Sequence, residues 1–109
     1  MDNEKEDLNT WFYERIKEAN FMDESNYDTN LELLKHYQTH ETRMKLVRKM
    51  VFQENKNPTD ENLKIGLEDY YNQCKKTTSE ERNLALTVAL YELKKEKPEK
   101  FDHFRSLSF

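Results

Sequence analysis

The sequence predicts an all-α protein, a compact bundle of four main helices plus a short C-terminal helical turn. Three observations carry this expectation. Apolar residues recur at three- and four-residue spacing in four separate stretches, and no segment alternates with period two. One Gly and two Pro in 109 residues are too few turn residues for a many-stranded sheet. Six Phe, six Tyr and one Trp supply a core to a chain that is 37% charged, whereas disordered chains are poor in aromatics. The length is that of one domain, residues 1–109, with 1–3 and 106–109 expected to fray.

Leu8, Trp11, Phe12, Ile16 and Ala19 give a first helix from about Glu4 to Ala19 one apolar face. Acidic residues before it and in its first turn suit the positive end of the helix dipole. Residues 23–28 have no periodicity and are expected to form a loop. Thr29 and Glu32 make a capping-box pair. Leu33, Tyr37, His40, Met44, Val47 and Val51 then follow in one phase, so a second helix is expected to run unbroken from Thr29 to about Glu54. The alternative is a break near Thr39, a poor helix former able to cap a new helix.

Asn57-Pro58 ends that segment, because proline pushes its predecessor out of the helical region. Thr59 or Asp60 caps a third helix, whose stripe of Leu63, Leu67, Tyr70 and Cys74 ends at Lys75-Lys76. Gly66 in its middle implies a close helix crossing. Thr78 and Glu81 form a further capping box before a fourth helix. Its Leu84–Leu90 run is apolar nearly all round and so belongs at the bundle centre. Pro98 opens the final turn, which carries Phe101 and Phe104. The expected core is Leu8, Trp11, Phe12, Ile16, Tyr37, Met44, Val47, Leu67, Tyr70, Leu84, Val88 and Leu90.

The residues offer little chemistry. His36 and His40, four apart, would share a helix face and are the weak candidates for a metal site, with Glu32 one turn back. No second His pair or Cys cluster accompanies them, so neither a metal nor any other cofactor is expected. The single cysteine, Cys74, sits at the end of an apolar stripe and reads as a small core residue. A lone glycine cannot build a phosphate loop. No nucleophile–base–orienter set can be assembled, and the expectation is a protein without enzymatic activity.

Charge is more informative. Residues 1–28 carry a net −6, residues 29–56 a net +3 and residues 57–109 a net −1. Lys45, Lys49 and Lys56 form a basic stripe that would meet phosphates if the chain bound nucleic acid. The acidic N-terminal segment and the apolar fourth helix disfavour that alternative. Leu46 and Met50 point away from the Met44-Val47-Val51 stripe, with Arg43 beside them, as in a helix sandwiched in a bundle or lying at an interface. Phe101, Phe104 and Phe109 either fold back onto the bundle or dock into a partner. The expected function is that of a small acidic cytoplasmic adaptor, inhibitor or regulator that acts by protein–protein binding. Its anchors would be Arg43, Leu46, Met50, Phe101, Phe104 and Phe109. A homodimer is one option, and no membrane association is expected.

Overall fold

The computed structural model describes residues 7–54, 59–73 and 79–109. These form six helices in the order α1 (Leu8–Phe21), α2 (Glu24–Leu34), α3 (His40–Phe52), α4 (Asp60–Gln73), α5 (Ser79–Glu96) and α6 (Pro98–Arg105). The all-α class holds, while the expected four helices and a turn become six helices. Two corrections account for the difference: the second helix is split, and the C-terminal turn is a full helix. Cys74, the Asn57-Pro58 stop, the Lys75-Lys76 helix end and the Thr78 cap expected from the sequence lie outside the described residues.

The anticipated continuous helix from Thr29 to Glu54 would be roughly 39 Å long at 1.5 Å per residue. The longest extent of the molecule is 37 Å. The chain instead breaks between Lys35 and Thr39, where short-range bonds from His36 N–H to Leu33 O and from Tyr37 N–H to Leu34 O tighten the last turn of α2. Thr39 stands at the N-cap position of α3, but its hydroxyl is donated to Glu81 Oε2 at 2.9 Å and does not cap the helix. The expected loop at 23–28 is the start of α2. Asp23 Oδ1 accepts the Asn26 N–H, and Asn26 Oδ1 accepts the Asp23 N–H in return. Thr29 therefore lies inside α2, bonding Ser25 O. The break also shifts the helical phase. Tyr27, Leu31 and Leu34 face inward, with Leu34 1% exposed, and Leu33 is left 45% exposed.

Helix α5 is the central element, as its all-round apolar run requires. It packs on α1, α2, α3 and α6, and Ala85, Leu86, Val88, Ala89, Leu90 and Leu93 are each fully buried. Of the expected core, nine residues are buried, while Leu8, Tyr37 and Leu84 are half-buried at its edge. Asp7 caps α1 by accepting the Thr10 N–H, and Thr59 Oγ1 accepts the Asn62 N–H at the start of α4. Two lysines reach back from the C-terminal part of the chain to close helix ends. Lys94 donates to Asn20 O of α1 and Lys100 to Phe52 O of α3, satisfying carbonyls that helix ends leave without partners. Burial, and secondarily the charge of Lys97, lowers the pKa of Lys100.

The tail folds back. Phe101 and Phe104 are each 1% exposed. Phe109 stacks on Phe12 with ring centroids 5.8 Å apart, and its backbone N–H and C=O are both bonded by the Asn9 side chain. The radius of gyration is 13.3 Å, close to the ~13 Å of a compact chain of about this length. Among the described residues no helix is long and apolar enough to cross a membrane.

Candidate functional site

Helix α3 organises the candidate surface. Its inner stripe of Met44, Val47 and Val51 is buried against α5. Its outer crest carries Lys45 and Lys49, one turn apart and both exposed. A groove runs along each flank of this crest, and Lys49 borders both.

The first groove, of about 860 Å³, lies between α2, α3 and the end of α5. Leu31, Leu34, Met44 and Phe52 form its floor. Its wall is a polar lock joining three helices. Arg48 of α3 donates Nε–H and Nη2–H to the two carboxylate oxygens of Glu92 of α5, both at 2.7 Å. The Tyr27 hydroxyl of α2 donates to the same carboxylate at 2.5 Å. Burial first, and then the adjacent Glu92, push the Tyr27 phenol up to about 12. The bond to Glu92 raises the pKa of Arg48 further. Glu41, Glu54 and Glu96 line the groove as well, so the Lys45–Lys49 stripe is interspersed with carboxylates. Lys56, the third member of that stripe, lies outside the described residues.

The second groove, of about 550 Å³, runs between α3 and α4. Its apolar lining is Leu46 and Met50 from α3 with Leu63 from α4. Here Gly66 acquires its reason. A Cβ at that position would lie 3.2 Å from Met50 Cγ and 3.3 Å from Sδ, so the methionine occupies the notch that the missing side chain leaves. Leu46 is 45% exposed on the α3 side, and Ile65, next to Gly66 along α4, is 48% exposed. Leu46 and Met50 thus sit together, as the sequence pattern implied.

Arg43 does not join them. Its side chain is turned inward, 12% exposed, with Nη2 3.6 Å from Glu81 Oε1 and the guanidinium 5.9 Å from the centre of the Tyr70 ring. Buried Glu81 draws it there, which corrects its placement in one patch with Leu46 and Met50. Phe101 and Phe104 are likewise core residues, and Phe109 is half-buried against Phe12, so the three tail aromatics do not form an exposed anchor. The premise that His36 and His40 share a helix face fails at the α2–α3 break. His36 is exposed within it, and His40, opening α3, directs Nδ1 to Tyr37 O at 3.1 Å. Among the described residues no three His, Cys, Asp or Glu side chains are grouped to hold a metal ion.

The sequence reading missed the polar centre at the start of α5. Glu81 is 3% and Arg82 8% exposed. The Arg82 guanidinium lies 4.1 Å from the Tyr71 ring centre and 5.5 Å from that of Trp11. Asn83 accepts the Trp11 indole N–H at 2.7 Å, and the Tyr70 hydroxyl donates to Arg82 O at 2.8 Å. An acidic residue in a helix's first turn ordinarily faces water, so no local signal marks these as buried.

The α3–α4 surface thus combines an apolar strip of Leu46, Met50 and Leu63 with the charged side chains of Lys49 and Glu54. Compared with protein-family models, with curated proteins and with solved structures, the chain shows no match.

Proposed function

We propose that this is a small cytoplasmic, non-enzymatic protein that acts as an adaptor, inhibitor or regulator by binding another protein through its α3–α4 face. The observation that supports this reading is exposed Leu46 lining a groove whose base is the Met50–Gly66 contact, with a second exposed aliphatic side chain, Ile65, adjacent to Gly66 along α4. Apolar side chains clustered beside a groove and rimmed by charge supply association energy, while the rim selects the partner. Met50 contributes as the floor and Lys49 as a rim charge.

Leu46→Asp tests the reading, because an exposed position tolerates substitution within about 0.5 kcal/mol of stability. Affinity capture from the source cells, with wild type and variant side by side, is read by quantitative mass spectrometry, untagged copies of this chain included. One protein should fall at least about tenfold with the variant, equivalent to 1.4 kcal/mol of lost binding. Its melting temperature should be unchanged. Equal retention of every captured protein by a folded Leu46→Asp variant overturns the reading.

A further inference from the structure

We infer that the partner of the α3–α4 face is a second copy of this chain, paired about a twofold axis that runs along the groove. The inference rests on the interaction reading above and takes it further through the distribution of charge. On α3, Lys45 and Lys49 stand on the crest beside exposed Leu46. On α4, Glu68 and Asp69 are exposed one turn beyond Ile65, and Asp69 lies two turns beyond Asn62, which lines the groove. None of these four charges forms an ion pair with another described residue. One face thus holds a lysine stripe on α3, with Glu54 at its end, and a carboxylate stripe on α4, side by side along an apolar seam.

Such a face complements itself in one orientation. A twofold axis along the seam lays α3 of one copy on α4 of the other, and the same contact recurs on the opposite side. Each lysine stripe then meets a carboxylate stripe, while Leu46 and Ile65 are covered in the middle. A twofold axis across the helices would set α3 on α3 and α4 on α4, bringing like charges together. The charges therefore select the first arrangement, and the apolar seam supplies the attraction. Helices α3 and α4 have 13 and 14 residues, so the face is only roughly 20 Å long. An interface of that size is at the small end of the specific range, and the dimer is expected to be weak and concentration-dependent.

Two charge-reversed variants test the pairing. In one, Lys45→Glu and Lys49→Glu make both stripes negative; in the other, Glu68→Lys and Asp69→Lys make both positive. Sedimentation equilibrium at low ionic strength should show the wild type approaching dimer mass as concentration rises, and shifting back toward monomer with added salt. Each variant alone should dimerise at least about tenfold more weakly. An equimolar mixture of the two should restore a dimer, since every contact between them is again complementary. Circular dichroism of each variant establishes that its fold is intact. A wild type that stays monomeric, or variants that dimerise as well as the wild type, overturns the inference. In the first case, loss of a different protein on Leu46→Asp leaves the interaction reading standing; retention of every protein removes both.

Discussion

Glu81 accepts the Thr39 hydroxyl at 2.9 Å and faces Arg43 at 3.6 Å while only 3% exposed. Two opposite charges taken out of water are tolerable together, and removing one leaves the other uncompensated at a cost of about 3–5 kcal/mol. Glu81→Ala should therefore lose about 3 kcal/mol or more of stability, and Glu81→Gln, which keeps an acceptor, should lose less. Trp11 is the chain's sole tryptophan and is 0% exposed, so its fluorescence during denaturation measures both. An unchanged midpoint in Glu81→Ala would contradict the buried pair. Tyr27 yields a pH prediction of defined sign. Its phenol ionises near 10.0 in the unfolded chain and near 12 in the folded one. Between those values unfolding releases a proton, so its contribution is complete below pH 10.0 and is lost as pH rises toward 12. Ultraviolet titration should show a late-ionising phenol in the wild type that is missing from Tyr27→Phe, and the same variant should flatten the alkaline decline in stability.

Among the helices, α3 ends in a geometry that its sequence does not favour. Gln53 holds φ 50° and ψ 53°, in the left-handed region, while its N–H bonds Lys49 O. Glycine adopts that conformation without a Cβ penalty of roughly 1–2 kcal/mol. Gln53→Gly also forfeits the exposed bond from its side chain to Thr59 O, and a net gain of about 1 kcal/mol is expected. A lowered urea midpoint would refute it. The same helix shows where sequence pattern succeeds and fails. Helices α1 and α5 were legible because each keeps one rule throughout, a single stripe in α1 and all-round burial in α5. The break before α3 was obscured because Leu33, Tyr37 and His40 happen to continue the phase of Met44 and Val47. Thr39, a poor helix former at the N-cap position of α3, is the local mark on which the alternative of a break rests. The need to fit inside the globule, which is not a local property, argues for it as well. The candidate surface was partly legible for a related reason. Leu46 and Met50 fall off the core stripe, which periodicity reveals. Arg43 is claimed by Glu81 from another helix, which periodicity cannot reveal.

The molecule as a whole is closed by its last residues. Phe109 stacks on Phe12 and exchanges two hydrogen bonds with Asn9, 100 positions away, accepting one at its C=O and donating one from its N–H. Phe109→Ala should cost about 1 kcal/mol and lower the melting temperature by roughly 4–8 °C. Calorimetry decides this, and an unshifted transition would show the tail to be undocked in solution. The closure has a further consequence for how the chain is made. Helix α1 emerges before the helices it packs on, chiefly α5 and α6, and the Trp11 indole waits for Asn83, 72 positions later. At roughly 5–20 residues per second, that separation corresponds to about 4–14 s of synthesis. Until α4 is made, with the Tyr70 and Tyr71 rings that lie 6.2 and 4.9 Å from that of Trp11, and then α5, the α1 stripe of Trp11, Phe12 and Ile16 lacks its packing surfaces. Helix α1 is thus made well before it is housed, and the growing chain presents the apolar stripe of α1 to whatever attends the ribosome exit.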